Sequence, residues 1–294
     1  MNNADYPALW RSGDAASRTR QKHFLVLVRI HLSLLAATGL IAAWNPSDPL
    51  HEKIVSWAVV GTMLVALIVS FAIKQLKLDD AWFRTRAFAE NAKEAAWRFM
   101  MHPARASNAE ADQVRSAYLD TLQKIRARFP GMAKEIAIEG DTGAEITQKM
   151  QEARAMSTVD RYNLYLTDRI QDQVEWYASK AKANAKSETL WFWFILIAEG
   201  TAVFAAIIRL SFVQEFNPTG GIAAMAACLV AWLQTKRFSD LANTYAVAAL
   251  DLKMIKERYG IATTEDALQK LVDEAETAIS REHRLWVGKR IGSA

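Results

Sequence analysis

The chain has 294 residues, of which 51% are hydrophobic and 23% charged, with a formal net charge of +4. Its mean hydropathy of −0.03 is that of an ordinary soluble domain, but the mean conceals four apolar stretches, each long enough at ~1.5 Å per residue to cross a bilayer. The near balance of sign removes charge as an argument for nucleic acid, and the single cysteine, Cys228, excludes an intrachain disulfide.

Residues 1–23 carry Arg11, Arg18, Arg20 and Lys22 ahead of the first stretch, Phe24 to Ala43. No small-residue cleavage pattern follows, so the stretch reads as a retained span and no signal peptide is expected. The second stretch runs from Ile54 to Ile73. The connector 44–53 between them holds one Lys and no Arg, whereas Lys74, Lys77, Arg84 and Arg86 follow the second stretch. Positive flanks stay cytoplasmic, so the N-terminus is expected inside and the hairpin 24–73 points outward.

From Leu78, a helical stripe of Trp82, Thr85, Phe88, Ala92, Ala96 and Phe99 follows the second span with no Pro or Gly between. Span and stripe read as one continuous helix, projecting roughly 40 Å below the membrane until Pro103. Ser107 and Glu110 form a capping-box pattern for a second polar helix with stripe Val114, Tyr118, Leu122, Ile125 and Phe129, stopped by Pro130 and Gly131. Residues 132–143 stay unassigned: Ile136 and Ile138 alternate like a short strand, and Gly140, Asp141 and Gly143 mark a turn.

From Asp160 the stripe Tyr162, Leu166, Ile170, Val174, Tyr177 and Ala181 runs without a breaker into the third stretch, Leu190 to Val213. The fourth, Thr219 to Thr235, is followed by Lys236 and Arg237 and the stripe Leu241, Tyr245, Ala248, Leu252, Ile255 and Tyr259, which Gly260 is expected to cap. A last amphipathic helix carries Leu268, Leu271, Ala275, Ile279 and Trp286. The expectation is an all-α polytopic membrane protein with two transmembrane hairpins, 24–73 and 190–235. Regions 74–189 and 236–294 form a cytoplasmic helical bundle from helices continuous with the spans, and both termini lie inside.

The two halves read as a degenerate repeat of hairpin plus descending helix. At an offset of 160, Asp80, Ala89, Lys93 and Arg98 match Asp240, Ala249, Lys253 and Arg258, with Phe99 facing Tyr259. Such repeats are common in membrane proteins that form paths.

No phosphate-binding loop, dinucleotide fingerprint, metal-ligand spacing or nucleophile elbow occurs, so neither an enzyme nor a cofactor or metal site is expected. Glu199 stands out near the middle of the third span, where an unpaired carboxylate costs about 2.5 kcal/mol or more. Either copies from several subunits form an acidic ring that favours cations, or Glu199 pairs with Arg29 or His31 of the first span, or it is protonated against a neighbour. Arg29 and Arg209 are near enough to span ends to snorkel. Gly220, Ala224, Ala227 and Ala231 form a small-residue stripe suited to close helix packing.

The helix after the second span interleaves Trp82, Arg84, Arg86, Trp97 and Arg98, and a basic stretch follows with Arg115, Lys124, Arg126 and Arg128. Rings stack on bases and cations meet phosphates, so these residues are candidates to hold a nucleotide or a short single strand. The other reading gives the rings to the bundle core and the cations to its rim.

The opening Tyr6 to Ser17 (YPALWRSGDAAS), the Trp82 to Phe99 helix, the Arg169 to Ala185 run (RIQDQVEWYASKAKANA) and the closing Ser280 to Trp286 segment resemble SLATT proteins, the SMODS- and SLOG-associating two-transmembrane effectors of bacteria. The resemblance implies an inner-membrane effector of antiphage conflict, forming a homo-oligomeric pore that answers a nucleotide or oligonucleotide from a partner nucleotidyltransferase. It carries over no catalytic residue. This chain departs from the minimal form in having two hairpins and no appended sensor domain. The alternative is a non-conducting membrane anchor whose bundle recruits a soluble partner.

Overall fold

The computed structural model describes residues 1–103, 108–138, 140–211, 217–259 and 264–291, with the backbone alone for 108–110, 133, 135, 210, 211 and 281–291. All the regular elements among the described residues are helices. After a 3₁₀ turn, Asn3–Asp5, come α1 (Ala8–Ala42), α2 (Pro49–Leu76), α3 (Leu78–Met101), α4 (Asn108–Arg128), α5 (Ala133–Ile138), α6 (Gln148–Ala155) and α7 (Thr158–Tyr165). A π-helical turn, Leu166–Gln171, leads into α8 (Asp172–Ser211), and α9 (Pro218–Lys236), α10 (Phe238–Tyr259) and α11 (Glu265–Ile291) complete the chain.

Among the described residues, three helical stretches are long and apolar enough to cross a membrane: Ala8–Ala42, Pro49–Met101 with its single break at Lys77, and Thr158–Arg209. The fourth expected span, now α9, is not among them. The chain divides into two compact units, one of Met1–Gln21, Asp79–Ala181 and Asn243–Ala294, the other of Lys22–Leu78 and Lys182–Ala242.

The second unit is apolar on its outside. Trp57 is 74% exposed, and Leu67, Phe71, Ile197 and Phe204 also face outward, the inverse of a water-soluble core and the pattern of a surface solvated by lipid. Local signals start its helices. Asp48 caps α2 by accepting from the His51 N–H at 3.0 Å, and Pro49 and Pro218 occupy first-turn positions where a missing N–H costs nothing.

The first unit has a conventional core. Phe88, Ala92, Trp97, Met100 and Met101 of α3 pack with Met150, Tyr165, Ile170, Leu252, Leu268 and Leu271, so the predicted stripes supply the interior. Thr147 and Ser157 cap α6 and α7. At the C-terminal end of α3, Arg161 Nη1 and Gln269 Nε2 donate to the Met101 carbonyl at 2.6 and 2.8 Å, and Arg154 donates to the carbonyls of His102 and Pro103, each at 3.3 Å. Two cations thus meet carbonyls left without helical partners, at the negative end of the helix dipole.

The structure corrects the sequence reading at the joints between spans and descending helices. The second span and its descending stripe are not one uninterrupted helix. Lys77 stands between α2 and α3 in the left-handed region, at φ 44°. Arg237, at φ 51°, does the same between α9 and α10. The third expectation of continuity holds, since Thr158–Arg209 is one helical run through the π turn. Residues 136 and 138, in the piece the sequence leaves unassigned, lie in α5, beyond Gly131 at φ 86°. Helix α1 begins at Ala8, well ahead of the apolar stretch. The Ser107–Glu110 capping box and the Gly260 cap lie outside the described residues and side chains.

Lys77 and Arg237 are 160 positions apart, the offset of the sequence repeat. They are the only non-glycine residues with positive φ among those described. Each ends an apolar helix and precedes a buried apolar residue, Leu78 or Phe238, so the repeat extends to the backbone.

Candidate functional site

Glu199 lies in α8 with its side chain exposed, beside exposed Phe192, Leu196 and Val203 one or two turns away. Among the described residues it makes no hydrogen bond and no ion pair. The partners considered for it are engaged elsewhere. The Arg29 guanidinium carbon lies 5.0 Å from the Trp232 ring centroid, and His31 Nδ1 lies 3.1 Å from the Ala66 carbonyl oxygen, a geometry suited to an N–H donor. Among the described residues of one chain, then, a carboxylate flanked by apolar side chains faces outward with no ion-pair partner.

The small-residue contact in this unit uses Ala224 of the predicted stripe, with Gly221 in place of Gly220. A Cβ built on Gly221 would lie 2.7 Å from the Gly39 carbonyl oxygen, and one on Gly39 would lie 2.8 Å from the Ala224 Cβ. Helices α1 and α9 therefore touch backbone to backbone through Gly39, Gly221 and Ala224. Gly220 has nothing within 4 Å of such an atom, Ala227 is exposed and Ala231 half-buried. The Asn217 N–H donates to the Ala43 carbonyl at 2.9 Å, tying the end of α1 to the start of α9.

The ring and cation candidates divide between two helices. On α3, Trp97 is wholly buried against Tyr6 and Tyr165, with ring centroids 6.3 and 5.6 Å away, and half-buried Trp82 stacks on Phe83 at 4.7 Å. Arg84 donates to the Pro130 carbonyl at 2.6 Å, Arg86 pairs with Glu90 at 2.6 Å, and Arg98 pairs with Glu94 at 3.0 Å and with Asp273. These five hold the fold together. On α4, by contrast, Arg115, Lys124, Arg126 and Arg128 are exposed and unpaired among the described residues. Arg115 and Arg126 share one side of that helix about three turns apart, and Lys124 and Arg128 another side about one turn apart.

Sequence reasoning missed a polar cluster inside the first unit. Arg169, on the π turn, donates through Nε and Nη2 to Glu276 of α11 at 2.8 and 2.6 Å, and the Tyr165 hydroxyl donates to the same carboxylate at 3.0 Å. The Arg169 and Glu276 side chains are 1% and 0% exposed, and Arg169 Nη1 is buried with no acceptor. Beside this pair, Lys93 Nζ lies 5.0 and 5.5 Å from the ring centroids of Tyr6 and Trp10, a cation held between two π faces. Burial pushes the Tyr6 hydroxyl up to about 12. A signal was present: Glu276 sits between Val272 and Ile279 at helical spacing on the apolar stripe, where a carboxylate has no access to water unless a partner is buried with it.

The opening YPALWRSGDAAS segment is what closes this cluster. Arg11 donates to the Tyr6 carbonyl at 2.5 Å and grips Asp141 through Nε and Nη2 at 2.5 and 3.0 Å. That grip, with the Gly143 N–H, holds the Asp141 carboxyl down at about 2. The Asp141 N–H donates to Ser12 Oγ at 2.9 Å, and Gly13 leaves no room for a Cβ, which would lie 2.7 Å from Phe88 Cδ1. The motif is thus explained by packing and hydrogen bonding around residues 141–143 and α3.

Two family models match the chain in tandem. That described as SMODS and SLOG-associating 2TM effector domain 3 matches residues 7–162, and that described as SMODS and SLOG-associating 2TM effector domain 1 matches residues 165–286. No curated protein and no solved structure matches the chain.

Proposed function

This chain belongs to the SLATT family of SMODS- and SLOG-associating two-transmembrane effectors, and on that premise we propose that it is a homo-oligomeric, pore-forming effector of a bacterial conflict system. Two tandem domains of a two-transmembrane family support four crossings, with α9 as the fourth. Its 19 residues give about 28 Å, close to the hydrocarbon thickness. Both termini and the first unit lie in the cytoplasm on this reading, supported by the Lys and Arg that follow the second and fourth spans.

Glu199 carries the proposal. An outward carboxylate in a lipid-facing unit, with no partner among the described residues of its own chain, costs about 2.5 kcal/mol or more unless it meets water or another subunit. Copies of the chain around a common axis give it both, and a ring of such carboxylates favours cations. The exposed cations of α4 are suited to the phosphates of a nucleotide or short oligonucleotide made by a partner nucleotidyltransferase. Such a ligand opens or closes the pore only through its different affinity for the two states. An open pore depolarises and kills the cell. No catalytic step and no cofactor enters this account.

One observation favours the alternative, a non-conducting anchor whose helices recruit a soluble partner: the backbone contact of α1 with α9 is the dry packing expected of spans that only hold position. Ion selectivity separates the two. In liposomes, the reversal potential under a salt gradient should show cation preference for the wild type and a several-fold loss of it for Glu199→Gln. Unchanged selectivity removes the acidic ring.

A further inference from the structure

Helix α10 carries a row of large apolar side chains that no described residue covers. Val247, Leu250 and Met254 are 57%, 60% and 57% exposed, and spacings of three and four put them on one side of the helix. Elsewhere among the described residues of this unit, only Ile138 and Val159 expose large apolar side chains, each singly. Single exposures are ordinary, whereas a contiguous row marks a contact surface. The row borders a groove of about 480 Å³ between α10 and α11, lined by Met254 and Ile255 and by Asp251, Lys270, Asp273 and Thr277.

The internal repeat shows what this side of the helix does when it is covered. At the offset of 160, the row corresponds to Ala87, Glu90 and Glu94 of α3. Ala87 is buried, Glu90 pairs with Arg86 at 2.6 Å, and Glu94 accepts a hydrogen bond from Ser280 of α11 at 2.6 Å. On the opposite side of α3, Phe88 and Ala89 receive α1 at Gly13. In the first repeat, the chain's own α11 reaches this side at Ser280, and the side chains there are small or charged to match. In the second repeat the same positions are large, apolar and open.

The surrounding charges narrow the occupant. Asp251, Lys253, Glu257, Lys270 and Asp273 flank the row and groove with both signs. A polyanion or an anionic lipid surface demands one sign, whereas mixed charge around an apolar row is complementary to itself. We propose that the α10 and α11 face is a contact between copies of this chain, with Leu250 in the middle of the apolar row.

This rests on the homo-oligomer of the proposed function, but the two can fail separately. Full-length protein carrying Cys228→Ser has no thiol, so Leu250→Cys introduces a single one. Mild oxidation in native membranes should link it into a dimer of twice the chain mass, while Asp120→Cys, on the exposed side of α4, stays unlinked. Native mass spectrometry of the same samples should find several copies, and fewer for Leu250→Glu. If Leu250→Cys stays unlinked while the mass shows several copies, the face is overturned and the oligomer stands. If the mass shows one copy, both fall, and a covalent band containing a different protein overturns the face in favour of that partner.

Discussion

Arg169 and Glu276 show why charge alone misled at the level of the residue. Periodicity assigns apolar side chains to the interior and charges to water, and it did so correctly for Phe88, Leu252 and Leu268. A charge that is buried because its partner is buried, more than a hundred residues away, leaves only a break in an apolar stripe as its trace. Removing one member of such a pair strands the other. Glu276→Gln should therefore lower the unfolding free energy of the detergent-solubilised chain by about 3–5 kcal/mol, whereas the double change Arg169→Met with Glu276→Met should recover most of it. A single variant as stable as wild type in chemical denaturation would mean that the pair does not hold the π turn to α11. The ring and cation candidates on α3 were legible as residue types but not as partners. Arg84, Arg86 and Arg98 found acceptors in the bundle, and those of α4 found none among the described residues.

Among the helices, their extent and the apolar stripes were legible because the 3.6-residue period and Pro or Gly breaks encode them directly. The joints were not. Lys77 and Arg237 adopt a left-handed conformation that costs an L-residue roughly 1–2 kcal/mol and that sequence would normally signal with Gly or Asn. Only the repeat offset, seen afterwards, links them. One glycine of the packing stripe was off by a position for a similar reason: four small residues in α9 predicted a contact and Ala224 makes it, but whether Gly220 or Gly221 joins depends on where Gly39 of α1 arrives. Gly221→Leu should overpack that contact and cost about 1–3 kcal/mol, while Gly220→Leu, facing open space, should be neutral. Thermal unfolding of the two variants side by side checks the register; equal losses would contradict it.

At the scale of the whole molecule, the chain is two effector domains in tandem, recorded in a repeated helix, left-handed joint and helix. The membrane character was legible from composition windows that the mean hydropathy hid, and the family from short motifs, of which the opening YPALWRSGDAAS is explained by packing in the first unit. Whether the spans conduct depends on an assembly that one chain does not contain, and that is why Glu199, unpartnered among the described residues, carries so much of the account. The direct test is ion flux from liposomes holding the purified full-length protein, with and without nucleotide and oligonucleotide ligands. The account predicts potassium release that one of these ligands switches; vesicles that stay sealed under every condition would contradict it.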